Sequence, residues 1–245
     1  MQSPQAPAEA AQAQAVTWGA ARWLEQALLI LRKDLLLESR TGEVLTTSAF
    51  FALLVVILSS LAYYLGPETR AQVAAGVIWL AVAFATVLSL SRTWQREREE
   101  GAFDGLNTAP LMPSALFVGK ACSLFLFLAA IEAVVIPTAA LLFSVDLWRV
   151  GGGLLILALT ATPGIACSAT VFGVMTVRTR ARDLVLAIVL FPLLAPTLLC
   201  AVVATRELLS GVPFWDLGDY LLLMGVFDAV FLAGGLGLFG TLAEE

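Results

Sequence analysis

Histidine is absent from all 245 residues of the chain. That removes the commonest metal ligand and the usual proton shuttle near neutral pH, and with them the familiar hydrolase and metal-site constellations. Charge is almost as scarce. Only 13% of residues are Asp, Glu, Lys or Arg, while 60% are hydrophobic; soluble domains run to about a quarter charged and about half apolar. So little polar surface cannot coat a soluble particle of this size, and a lipid solvent is implied. A net charge of −5 excludes the basic footprint that nucleic acid requires. The three cysteines, Cys122, Cys167 and Cys200, stand singly in apolar runs without CxxC spacing and read as small packing residues rather than disulfide or metal partners. No GxxxxGK[ST] loop is present either. Gly119-Lys120-Ala121 comes nearest but lacks the upstream glycine and the Ser or Thr that a phosphate-cradling loop needs. No catalytic, cofactor-binding or metal-binding residue is therefore assigned, and the chain reads as a non-enzyme.

What is present is apolar length. Residues 1–17 are Ala-, Gln- and Pro-rich with one charge, Glu9, and read as a disordered tail rather than a targeting peptide. Over 18–40 the text becomes amphipathic. Leu24, Leu28, Leu31 and Leu35 recur at helical spacing, with Arg22, Glu25, Arg32 and Lys33 on other faces, the pattern of a helix lying in the membrane interface. Six apolar runs then occupy 41–245, at about 44–65, 71–90, 117–143, 150–177, 184–203 and 220–242. Each meets or nears the roughly 20 helical residues that cross about 30 Å of hydrocarbon. The expected fold is an all-α integral membrane protein of six transmembrane helices. Ten basic residues fall in the N-terminal segment and the second and fourth loops, and three (Arg70, Arg149, Arg206) in the opposite loops. The positive-inside rule then places both termini in the cytoplasm. Trp18, Trp23 and Trp94 are expected as interfacial aromatics at the inner surface, and Tyr63, Tyr64, Trp148 and Trp215 at the outer.

The second loop, 92–115, is the most informative stretch. Its first part can extend the second span into the cytoplasm, with Arg92, Arg96 and Glu100 at i, i+4 spacing. Gly101 suits a C-cap and Ser114 an N-cap for the third span. Between them Phe103 and Leu106 could dock into a partner's groove; a solvated charged loop is the plainer alternative. Lys120, near the inner end of its span, can snorkel and calls for no special role. Deeper in the membrane stand Glu132 and Asp228. A carboxylate at midplane costs about 2.5–3.5 kcal/mol on insertion scales, so each should face the bundle interior, either as a substrate contact or proton relay or as an interhelical hydrogen bond. Gly225, Ala229, Ala233 and Gly237 (with Thr241) place a small residue at every fourth position of the sixth span, a stripe expected to pack inside the chain, with contact between subunits as the alternative. The fourth span is interrupted by Thr162-Pro163-Gly164 and the fifth holds Pro192 and Pro196, which serve equally as hinges or as static kinks.

Glu100-Gly101, Asp104, Leu106, Pro110, Pro113 and Gly119-Lys120 resemble the E-x-x-G-x-x-[ED]-x-L…P…GK pattern of ABC-2-type permeases. In that clan this loop is the coupling element that rests on a cytoplasmic ATPase, and the interfacial helix before the first span is the elbow. Within the clan the chain is similar to the CcmB (haem exporter protein B) family. The likeness runs through the stretches Leu31-Arg-Lys-Asp-Leu-Leu-Leu-Glu-Ser-Arg40, Gly76-Val-Ile-Trp79, Ser89-Leu-Ser-Arg-Thr-Trp94, and Arg180-Ala-Arg-Asp183 leading to Phe191-Pro192…Pro196. It covers about residues 22–240. Ala75 stands where the family pattern has Pro.

The resemblance implies a membrane subunit of a cytochrome c maturation complex in the bacterial inner membrane. ATP would sit on a separate ABC ATPase subunit, docked on Glu100, Gly101, Phe103, Asp104, Leu106 and Pro110. Haem would sit on partner proteins: a haem-handling membrane protein joined by a small single-span protein, and indirectly a periplasmic haem chaperone whose release the ATPase drives. Self-dimerisation is a further expectation. The alternative within the clan is a permease subunit exporting a lipid, glycan or drug. Outside it stands a proton-coupled carrier using Glu132 and Asp228, which would call for an internal inverted repeat; none is visible between the halves.

The charge bias yields a direct test of topology. In a background lacking the three native cysteines, single cysteines at Thr69 and Ser210 are expected to react with an impermeant thiol reagent added outside. Labelling only after permeabilisation would overturn the assignment.

Overall fold

A computed structural model describes residues 6–63, 67–99, 111–176 and 182–244. Among them all regular structure is helical: α1 (Ala6–Thr41), α2 (Glu43–Ala62), α3 (Pro67–Glu99), α4 (Pro113–Phe143), α5 (Leu147–Thr176), α6 (Arg182–Leu209) and α7 (Gly218–Glu244), with a 3-10 turn at Phe214–Leu217 before α7. Six of these, α2 to α7, are long and apolar enough to cross a membrane. The six-span all-α expectation is met. Two boundaries differ. α1 begins at Ala6, so most of the expected tail 1–17 is helical, as its Ala, Gln and Glu content favours. The third span starts at Pro113, with Met112 as its N-cap. Proline suits the first helical position because its missing N–H would be unpaired there. Ser114 is thus inside the first turn rather than the cap, and its hydroxyl accepts a 2.9 Å hydrogen bond from Trp23 Nε1 of α1.

Gly42 turns the chain from α1 into α2. Its φ of +61° suits a residue without a Cβ. The Gly42 N–H donates to the Glu38 carbonyl at 2.7 Å, closing α1, and its own carbonyl accepts from the Thr46 N–H at 2.9 Å, opening α2. Glycine offers no side chain to cap the new helix. The Glu38 carboxylate does so from the preceding turn, accepting the Leu45 N–H at 2.7 Å and the Val44 N–H at 3.3 Å. A buried anion over a helix N-terminus also opposes the positive end of the dipole.

α3 and α5 form the centre of the bundle: over an 18-residue apolar stretch of each, 67% of the residues are buried, against 44% in α4, 33% in α6, 22% in α2 and 11% in α7. The outer helices accordingly turn apolar side chains such as Phe50, Leu61, Leu141, Leu199 and Leu222 outward, where lipid is the solvent. Trp148 and Trp215 are fully or nearly fully exposed near one end, where an aromatic belt belongs. Inside, small hydroxyls join the helices: Ser89 donates to Ser48 at 2.9 Å, and the Trp79 indole donates to Thr205 at 2.9 Å. Phe84 stacks edge-on between Phe51 and Phe191, at 5.8 and 5.7 Å. α1 packs along α4 and barely touches the backbone of α3.

The stripe on α7 faces the other way from the expectation. Gly225, Ala229, Ala233 and Gly237 are all exposed, so they do not pack within this chain. The packing face is carried by Met224, Asp228, Gly235 and Phe239. Gly225 and Ala229 lie one residue, about 100°, further round from Met224 and Asp228. Fourfold spacing identifies a face but not which way it turns. Gly235 is the glycine that admits a neighbour: a Cβ there would lie 2.1 Å from Phe117 Cζ, and Phe117 in turn packs 5.6 Å from Phe239.

Both glycines gain helix propensity on replacement by alanine, about 1 kcal/mol, but only one has a neighbour to displace. Gly235→Ala is expected to lower the melting temperature of the detergent-solubilised protein, because overpacking a filled core costs about 1–3 kcal/mol. Gly237→Ala, with nothing within 4 Å, is expected to hold or raise it. Equal behaviour of the two would refute the assigned face.

Candidate functional site

The six loop residues singled out from sequence, Glu100, Gly101, Phe103, Asp104, Leu106 and Pro110, lie outside the described residues. Both flanks of that loop are described, and they meet α1 in a cluster of charge. The extension of α3 beyond its apolar part is borne out as far as Glu99.

Lys120 sits at the centre. It is 3% exposed, and its ammonium lies 2.9 and 3.1 Å from the two carboxylate oxygens of Asp34 on α1 and in contact with Glu97 Oε1 near the end of α3. Snorkelling to water is therefore the wrong description. The side chain turns inward because two buried carboxylates, Asp34 and Glu97, await it. Lys33 also reaches Glu97 Oε1, at 2.6 Å, and lies 3.3 Å from Asp34. Burial depresses the Lys33 pKa, but the facing carboxylates of Glu97 and Asp34 outweigh that and hold it above the ordinary lysine value. Its contribution is accordingly complete at neutral pH and fades only as pH rises through that elevated value. Further along, Arg96 donates to Thr41 Oγ1 at 2.8 Å and Glu43 at 3.2 Å and lies 3.9 Å from Glu38. Arg92 reaches Glu43 at 3.5 Å. Glu97 Oε2 is buried with no hydrogen-bond partner among the described residues, and Glu97 lines a cavity of about 20 Å³.

Two glycines bring the helices close enough for these contacts. A Cβ on Gly119 would fall 2.8 Å from Ile30 Cβ and 2.9 Å from the Ala27 carbonyl, so α1 crosses α4 directly beside Lys120. A Cβ on Gly173 would fall 2.2 Å from Trp94 Nε1, which seats α5 against α3. Trp94 is buried, 4% exposed, and its ring stands 5.8 Å from the Lys120 ammonium. It roofs the charge cluster instead of sitting at the lipid surface, because Gly173 leaves it a slot to enter.

Glu132 and Asp228 converge on one feature of the continuous helix α5, the Thr162-Pro163-Gly164 stretch, from opposite sides. Glu132 of α4 is buried and accepts a 2.7 Å hydrogen bond from the Thr162 hydroxyl. It lines a groove of about 320 Å³ between α4 and α5 whose other walls are apolar. Asp228 of α7 packs on Gly164, where a Cβ would come 1.9 Å from Oδ1. That oxygen is buried and has no hydrogen-bond partner among the described residues. Pro163 is inside the helix and cannot donate to the preceding turn, so both acids border backbone that is already irregular in its bonding. The stripe expected beside Asp228 is not part of this contact.

Sequence reasoning missed Asp34, Glu38 and Glu97 and dismissed Lys120. The signals were there: Asp34 and Glu38 share a helix face at i, i+4, and the Gly119-Lys120 pair carries the resemblance.

Compared with known proteins, residues 25–237 match the family described as CcmB protein. The chain belongs to the CcmB family. Among relatives of this CcmB-family chain, the protein named heme exporter protein B of Paracoccus denitrificans is 30% identical over 76% of this chain and 84% of its own. Its namesakes from Rhodobacter capsulatus and Pseudomonas aeruginosa are each 29% identical, covering 75% and 76% of this chain and 84% and 82% of theirs. The match takes in α1 from Glu25, the charge cluster and all six apolar helices, which makes this a multi-pass membrane protein.

The contact of Asp228 with Gly164 predicts a suppressor relation. Gly164→Ala is expected to lower thermal stability in detergent by forcing α7 away, and Asp228→Ala in the same chain is expected to restore most of the loss. Neighbouring sites of this kind couple by about 0.5–3 kcal/mol. Strict additivity in the double-mutant cycle would count against the contact.

Proposed function

We propose that this chain is the membrane subunit of an ATP-driven complex for haem export in cytochrome c maturation, residing in the bacterial inner membrane with both termini in the cytoplasm. Membership in a family whose members are named heme exporter protein B is the observation that carries this reading. The lipid, glycan or drug exporter gains no comparable support. On this reading the 100–110 segment rests on a cytoplasmic ABC ATPase subunit, with Phe103 and Leu106 as buried anchors and Glu100 and Asp104 setting orientation. Gly101 and Pro110 shape the segment's ends. The ATPase hydrolyses ATP, and this chain passes the resulting movement across the membrane, so that the haem-loaded periplasmic chaperone leaves its haem-handling partner. Haem ligation belongs to the partners, since no histidine is available here to supply a strong axial ligand.

The charge cluster supports the coupling part of this reading. It gathers the last described turns of α3 and the first turns of α4 onto α1, so the segment between them springs from a braced base.

The decisive measurement is co-purification of the ATPase with membranes carrying Phe103→Ala and Leu106→Ala together, alongside ATP-dependent chaperone release. Truncating buried anchors commonly costs about 2 kcal/mol or more at such contacts. The double variant is therefore expected to insert normally yet lose the ATPase or uncouple it. The same truncations at Leu222 and Leu223, exposed on α7, serve as the control. Normal retention and normal release would remove the loop from the mechanism.

A further inference from the structure

We propose that Lys120 is the positioning residue for the end of α3 that leads into the 100–110 segment: its ammonium, held between Asp34 of α1 and Glu97 of α3, fixes that end against α1 and α4. The inference deepens the coupling reading and rests on it for its functional meaning.

The case is geometric. Glu97 stands two residues before the last described residue of α3, and Lys120 stands two turns into α4, so the ion pair spans the base of the intervening segment. α1 is fastened to α4 by packing at Gly119 and by hydrogen bonds from Trp23 to Ser114 and from the Met112 N–H to Gln26. Among the described residues the backbones of α1 and α3 barely meet. The tie there is ionic: Lys33 and Lys120 both converge on Glu97 Oε1, and Arg96 reaches Glu38, Thr41 and Glu43. The adjoining cavity, about 20 Å³, holds no more than about one water, which excludes a substrate or cofactor as the reason for the charges. Stability is a poor reason as well, because apolar residues of equal volume commonly serve as well as a buried ion cluster. What the charges add is a fixed arrangement: Lys120 has its partners only when α1, α3 and α4 are in register.

The test uses the full chain in lipid nanodiscs, native cysteines replaced, with spin labels at Arg32→Cys on α1 and Arg92→Cys on α3. Pulsed electron resonance is expected to give one narrow distance in the parent. Lys120→Met is expected to broaden and lengthen it. Lys120→Met takes the more buried of their two cations from Asp34 and Glu97, leaving Lys33 alone, and could fail to fold. The neutral triple variant Asp34→Asn, Glu97→Gln, Lys120→Met avoids that burden and is also expected to lose the narrow population and ATP-dependent release. A narrow, unshifted distance in the neutral triple variant would show that packing alone sets the position and would overturn the proposal. The Phe103→Ala, Leu106→Ala chain should keep the narrow distance while losing coupling. If that chain stays coupled, the coupling reading fails, while the distances still decide whether Lys120 positions α3.

Discussion

Lys120 places an ammonium where bulk water cannot solvate it, and the end of the bundle that carries α1 is built to accommodate that. An unpaired charge at such a site would cost several kcal/mol. Asp34 is supplied by α1 and Glu97 by α3. Gly119 admits α1 to within contact of α4; Gly173 admits Trp94, whose ring closes over the ammonium. Each of these residues has an individual explanation, but the explanations are not independent. Remove Lys120 and the two carboxylates keep only the half-exposed Lys33 as a shared cation.

The cluster also extends to α2. Glu38 is one turn beyond Asp34 on the same helix face, and its carboxylate caps the N-terminus of α2 across the left-handed turn at Gly42. Arg96, one residue before Glu97, lies against Glu38 and Glu43. α1 is consequently fastened along one face, Asp34 holding Lys120 and, a turn later, Glu38 holding the start of the first span.

Much of this fold was legible because lipid imposes a simple rule: helices long and apolar enough to cross are written as uninterrupted text. The six spans, and the extension of α3 through Arg92 and Arg96, follow from length and charge alone. What did not follow were the directions of side chains within helices. Lys120 and Trp94 carry the polar and aromatic character of interfacial residues, and nothing in a single chain of letters shows that Asp34, 86 residues away, and Gly173 draw them inward. The small-residue stripe on α7 failed for a related reason. Periodicity fixes which residues share a face, whereas the azimuth of that face depends on neighbours, here Phe117 against Gly235 and Asp228 against Gly164. Glu132 and Asp228 were found from sequence because a carboxylate in a span stands out against its background, although their common destination at Pro163 was not visible.

That common destination separates two kinds of polar contact in this protein. At the α1 end, opposite charges meet one another and hold helix termini, where several oxygens and cations share the burden. At Pro163 two acids approach α5 singly, one satisfied by a hydroxyl and the other resting on a glycine backbone with an oxygen left over. A contact of the first kind has many members and resists displacement of any one. A contact of the second kind constrains by shape, since Gly164 excludes no position of α7 except those that would move the carboxylate into its Cα. α5 joins the two. Its Gly173 end is seated against Trp94 beside the charge cluster, and its Pro163 turn lies between Glu132 and Asp228. α5 thus runs as one continuous helix from the seat of Trp94 at the cluster to the two acids beside Pro163.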